Sequence, residues 1–138
     1  MLVLGTIAPL WSVGQPALAE PVLPIGVRPV TGEVVRAFDP PAEKWLAGHR
    51  GVDLSAQAGD IVVAAAAGQV RFAGLVAGRG VVSLDHAGVI TTYEPVTALV
   101  AVGDRVAAGT PIGVLDSGHA CPAPACLHWG LKMGETYL

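Results

Sequence analysis

Gly59-Asp60-Ile61-Val62-Val63-Ala64-Ala65 returns, slightly altered, as Gly103-Asp104-Arg105-Val106-Ala107-Ala108. Each copy is followed by a glycine turn and a second apolar stretch: Gln69-Val70 after the first, Pro111-Ile112-Gly113-Val114 after the second. A Gly-Asp turn opening onto β-branched residues is a hairpin signal, because glycine takes the positive φ that a tight turn needs and branched side chains pack well on a pleated surface. The repeat predicts a duplicated hairpin. Outward from the two copies, short apolar runs alternate with glycine or aspartate turns. Strands are expected at residues 34–38, 52–54, 61–65, 69–75, 81–85, 90–93, 111–115 and 127–131. No segment carries a sustained 3.6-residue apolar stripe with caps at both ends, so the expected fold class is all-β, a compact antiparallel sheet domain.

The chain has 138 residues, enough for one ordinary domain. At 52% hydrophobic and 14% charged residues it is not a disordered, charge-rich chain. A net charge of -3 and the lack of any basic run argue against nucleic acid as a partner. Residues 2–13 are mostly apolar and Ala17-Leu18-Ala19 is a small-x-small site, so residues 1–19 read as a signal peptide cleaved before Glu20, although no Lys or Arg follows Met1. The expected location is therefore secreted or cell-envelope, extracytoplasmic. Residues 20–31, with Pro21, Pro24 and Pro29, form an extended lead-in, and the folded domain is expected over 32–138. The later apolar run 61–67 falls far short of the roughly 20 residues needed to span a bilayer, so no stable span is expected after signal cleavage.

The chemistry concentrates in two places. In Gly48-His49-Arg50-Gly51-Val52-Asp53-Leu54, His49 and Asp53 are four apart, and in an extended segment such positions point to one side. In Cys126-Leu127-His128-Trp129-Gly130-Leu131, alternation puts Cys126 and His128 on one face and Leu127 and Trp129 on the other. Two histidines and one carboxylate, with an open fourth position, make a common catalytic zinc set. Without further constraint, a solvated histidine near an aspartate is the simpler reading of the first motif. Trp45 and Trp129 are read as core or groove wall. Cys121 and Cys126, an even count in an exported chain, are expected to pair as a disulfide; a zinc-bound Cys126 thiolate is the alternative.

Two family resemblances follow. The duplicated hairpin is similar to biotinyl and lipoyl carrier domains, which share a barrel-sandwich architecture, but carriers need a lysine at a hairpin tip. Lys44 and Lys132 both lie outside the repeat, which excludes that function. The second resemblance covers residues 32–137. Gly-His-Arg-Gly-Val-Asp-Leu, then Gly-Asp-x-Val-x-Ala-Ala-x-x-Gly-x-Val, then Thr-Thr-Tyr, then Leu-His-Trp-Gly-Leu resemble the lysostaphin/LytM-type zinc peptidases. That resemblance implies a compact antiparallel domain with Zn2+ in a groove and cleavage of peptidoglycan stem peptides or cross-bridges. It carries the family's metal ligands onto His49, Asp53 and His128.

The same resemblance exposes two departures. Cys126 stands where the family's H-x-H motif has its first, catalytic histidine. Pro95 stands where a second catalytic histidine follows the tyrosine of Tyr-x-His-Leu; here the segment reads Tyr93-Glu94-Pro95-Val96. Among substitutes, Tyr93 can donate to an oxyanion and His86 is the remaining catalytic candidate, against bland readings as groove wall and turn histidine. Glu94 can act as a base only if a bend brings it inward. His119, on the loop leading to the site, can swing toward zinc, but the preferred reading is a solvent-exposed loop histidine. Two functions are therefore carried forward. One is a zinc metallo-endopeptidase acting on cell-wall peptide. The other is a catalytically degenerate domain that binds peptidoglycan or regulates a partner cell-wall hydrolase.

Overall fold

A computed structural model describes residues 26–138 and Gly14; apart from Gly14, the expected signal peptide 1–19 and residues 20–25 of the lead-in lie outside the described residues. Among the described residues there is no helix, and every strand pair is antiparallel. Eleven strands follow in order: β1 Val34–Arg36, β2 Val52–Ala56, β3 Ile61–Val63, β4 Gly68–Val76, β5 Arg79–His86, β6 Val89–Glu94, β7 Val96–Ala98, β8 Arg105–Val106, β9 Pro111–Leu115, β10 Ala125–Met133 and β11 Thr136–Tyr137. The larger sheet runs β1-β2-β10-β6-β5-β4-β8, with β11 added beside β10, and the smaller runs β3-β9-β7. All eight expected strands are present, 111–115 with its expected bounds and the other seven with shifted ends. β8 falls in the second copy of the repeat, as the duplicated hairpin predicts; β7 and β11, two or three residues long, are too short to show alternation.

The duplication is real in three dimensions, but its strands pair across the two copies. β3 of the first copy pairs with β9 of the second, and β4 pairs with β8. The two Gly-Asp turns are near-replicas. Gly59 and Gly103 take φ of 94° and 93°, which a side chain would resist. Asp60 and Asp104 each accept, through Oδ2, the backbone N–H three residues earlier, at 2.9 Å in both turns. Gly59 N–H donates to Leu115 and Gly103 N–H to Val70, both at 2.8 Å. Each copy thus reaches into the other, and the exchange ties the small sheet to the large one.

The core lies between the sheets. Val62, Val96, Ile112 and Leu115 come from the small sheet; Leu54, Val70, Val82, Leu84, Tyr93 and Leu127 come from the large one. Burying each such aliphatic side chain contributes roughly 1.5–3 kcal/mol before entropy is counted. The end of the lead-in joins this core: Val63 N–H donates to Pro29 O, Val27 N–H donates to Ala65 O, and Val30 is buried. Period-two alternation then decides the site. Leu54, Leu127, Trp129 and Tyr93 face the core, so their neighbours Asp53, His128 and Glu94 face the opposite side of the large sheet.

Candidate metal centre

β10 lies between β2 and β6, and His128 is the cross-strand partner of Asp53 on one side and of Glu94 on the other. His49 precedes β2 and is held by a two-bond bridge to Asp39, with His49 N–H to Asp39 O at 2.7 Å and Asp39 N–H to His49 O at 2.9 Å. Gly51 lets this loop approach β10. A Cβ there would lie 2.5 Å from the Trp129 carbonyl oxygen and 2.9 Å from His128 Nε2.

These contacts bring His49, Asp53 and His128 together. His49 Nε2, Asp53 Oδ1 and His128 Nδ1 form a near-equilateral triangle with sides of 3.1, 3.1 and 2.9 Å. Tetrahedral ligands at ~2.0–2.1 Å from a zinc ion are separated by roughly 3.3–3.4 Å, so the triangle is close to one face of such a tetrahedron. His49 Nδ1 donates to Ala37 O at 2.7 Å, which leaves Nε2 with a lone pair in the neutral ring. That lone pair faces the lone pairs of Asp53 Oδ1. Asp53 is fully buried, and its second oxygen, Oδ2, has no hydrogen-bond partner. Electron pairs facing one another around a buried carboxylate are costly unless a cation lies among them. The donor set therefore fits a divalent metal such as zinc.

His119 completes the cluster. Its Nε2 lies 2.9 Å from Asp53 Oδ1, and the four ligand atoms lie within 4.8 Å of one another. It was expected to be a solvent-exposed loop residue; instead it is only 12% exposed. The reason is the Cys121–Cys126 disulfide, with Cα atoms 6.3 Å apart, which pins the loop to β10 two residues from His128. The bond also removes Cys126 from the list of possible thiolate ligands. Nothing in Gly118-His119-Ala120 itself signals a ligand; the hint is its place on the loop that leads to the site through Cys121 and Cys126.

Burial by itself would raise the Asp53 carboxyl, but hydrogen bonds from His119 and His128, with the charges of His119 and His49, hold it below the ordinary value. Burial lowers His128, partly opposed by its bond to Asp53. Both shifts favour the unprotonated forms that a metal requires.

Tyr93 and His86 do not join this cluster. Tyr93 is fully buried on the core face, where its hydroxyl accepts from Ala65 N–H at 3.0 Å and bonds Thr91 Oγ1 at 3.0 Å. His86 bonds Ala67 O and Thr91 Oγ1, both at 2.7 Å, in the same core-face system. Strand parity turns the tyrosine, not its neighbour, away from the cluster, and His86 bonds within the same core-face system as Tyr93. Glu94 is on the cluster's face without any bend and lies 3.9 Å from Arg79 Nη1. Trp45 is not a core residue; it is 73% exposed.

The sequence profile described as Peptidase family M23 matches residues 47–138. An uncharacterized protein of Mycobacterium tuberculosis (strain ATCC 25618 / H37Rv) is 55% identical over 105 residues, covering 75% of this chain. The chain spans 42% of that relative's length. Among solved structures, a putative peptidase M23 from Pseudomonas aeruginosa superposes with a TM-score of 0.67 at 23% identity, over 87% of this chain and 50% of that one. The antimicrobial peptidase lysostaphin from Staphylococcus simulans superposes with a TM-score of 0.59 at 25% identity, over 72% of this chain and 42% of that one.

Proposed function

The chain belongs to peptidase family M23, of the lysostaphin/LytM type, and on that premise we propose a zinc-dependent endopeptidase domain acting on peptidoglycan stem peptides or cross-bridges outside the cytoplasm. His49 Nε2, Asp53 Oδ1 and His128 Nδ1 are its ligands. The observation that carries this reading is the triangle of three electron-pair donors around a buried carboxylate with an orphaned oxygen. When bound, zinc supplies Lewis-acid polarisation of a scissile carbonyl and lowers the pKa of water toward ~7.

The chain's own residues do the rest. The Ala37 carbonyl holds His49 in the tautomer whose free nitrogen points inward. The β2–β10–β6 ladder places His128 between two carboxylates, Asp53 and Glu94. Asp53 is fully buried, with His119 bonded to its carboxylate. Three protein ligands would leave a zinc ion a position for water or substrate. The expected domain limits, 32–138 after a signal peptide 1–19 and a lead-in 20–31, accord with export, as does a disulfide.

A second reading is favoured by one specific observation: Cys126 and Pro95 carry no proton donor or base. A domain of this kind can hold the metal and bind peptidoglycan, or a partner wall hydrolase, without cutting. Incubation of the chain with purified peptidoglycan, with zinc and with chelator, separates the two by mass analysis. Zinc-dependent release of peptides with new amine and carboxyl ends is expected. Sedimentation with the wall without release favours the second reading, and neither outcome would overturn both.

A further inference from the structure

We infer that His119 belongs to the site as a hydrogen-bond donor and not as a fourth ligand, held there by Arg79 and by the Cys121–Cys126 loop. The inference deepens the proposed zinc reading and rests on it for its consequence in hydrolysis.

Two independent observations carry it. The first is the proton's position. Arg79 Nη1 lies 3.4 Å from His119 Nδ1. A guanidinium has donors only, so Nδ1 is the acceptor and the ring's proton sits on Nε2. That N–H donates to Asp53 Oδ1 at 2.9 Å. His49 is the mirror case: its outer nitrogen donates to a carbonyl, so its inner nitrogen offers a lone pair. The two histidines approach the same oxygen in opposite roles.

The second observation is position. His49, Asp53 and His128 are mutually in contact, whereas His119 makes a hydrogen bond to Asp53 alone among the three. It sits beside the triangle, on the Asp53 side. Arg79 is anchored in turn near Glu94, at 3.9 Å, so the group that sets the His119 tautomer is tied to the strand beside β10.

The consequence follows from what residues 95 and 126 lack. Pro95 and disulfide-bound Cys126 offer no N–H or O–H. The His119 N–H is the ring N–H aimed at Asp53, and the disulfide that removes Cys126 from chemistry also ties down the loop that carries His119. Its present role is positional, orienting Asp53. A donor so placed can also meet negative charge developing on a substrate, and removal of one such donor costs about 10²–10³ in rate.

The test is long-range proton–nitrogen correlation of the imidazole rings in the 15N-labelled full chain, zinc-free and with one equivalent of zinc. We expect His119 to carry its proton on Nε2 in both states, while zinc shifts His49 Nε2 and His128 Nδ1. Arg79→Met should admit the other His119 tautomer. Loss of the Nε2 proton on adding zinc would make His119 a ligand and overturn the inference; so would an Nδ1–H tautomer in the zinc-free chain. If zinc does not bind, the metal reading fails, and the zinc-free spectrum still decides the tautomer. His119→Ala should keep zinc, as measured by chelator competition, and release wall peptide about 10²-fold more slowly. His119→Gln, which retains an N–H donor, should recover part of that loss. Zinc loss in His119→Ala as severe as in His128→Ala would also overturn the inference.

Discussion

Strands β6 and β10 carry a polar system on each face, and the two differ in one respect. On the core face, Ala65 N–H, Tyr93, Thr91, His86 and the Ala67 carbonyl form a chain in which both hydroxyls and both imidazole nitrogens have protein partners. Only the Trp129 indole N–H beside it makes no hydrogen bond. On the other face, a carboxylate oxygen is orphaned and a histidine lone pair points at the companion oxygen. A closed network is complete within the protein and stabilises it. An open one around a buried carboxylate is complete only with a cation. Histidine content alone does not separate the two faces; the tautomers and the accounting of lone pairs do.

The comparison breaks most readily at Asp53. A zinc site worth on the order of 10 kcal/mol that loses one of three ligands should weaken by roughly 10²–10³-fold. Asp53→Ala is therefore expected to show that loss in chelator competition. His86→Ala, on the core face, should leave affinity unchanged. Equal losses would mean that the two faces are not distinct.

The next effect is on stability. Cys121→Ala with Cys126→Ala should cost about 2 kcal/mol in urea unfolding, the chain-entropy value for so short a loop. Zinc affinity should change little, because neither sulfur is a ligand. A marked fall in affinity would implicate the loop in holding the metal.

Tyr93→Phe tests the closed network. It strands the buried Ala65 N–H, at a cost of about 1–3 kcal/mol, with zinc affinity intact. Burial raises the Tyr93 hydroxyl above its ordinary value near 10, although its bonds to Thr91 and Ala65 oppose the shift. Its contribution is therefore complete below that pH and is lost as pH rises through the higher folded value. Wild type should lose stability there more steeply than the phenylalanine variant. Parallel curves in alkaline urea melts would contradict this.

The smallest effect is at Gly51, where alanine would press on the Trp129 carbonyl and His128. About a tenfold loss of zinc affinity is expected, at the low end of what disturbing a ligand's support costs. No change would show that the loop can yield.

What could be read from the chain alone follows the same physics. The Gly-Asp turns announced the repeat, because φ near +94° demands glycine and Asp60 and Asp104 close their turns locally. Which strands the copies pair with was hidden, since the exchange of β8 and β9 is a tertiary choice. His49 and Asp53 share a local motif, and His128 sits in a legible strand. His119 was misjudged because a disulfide, not a periodic pattern, places it. Alternation puts Tyr93 and Glu94 on opposite faces but gives only relative parity; the packing of Tyr93 into the core says which face is inside.

The most direct test is zinc titration of the metal-free full chain in wild type, His49→Ala and His128→Ala, with the metal content of each measured after gel filtration. We expect one zinc per wild-type chain and none retained by either variant. Wild type without zinc, or variants that keep it, would contradict the claim that the open cluster on this face is a metal site.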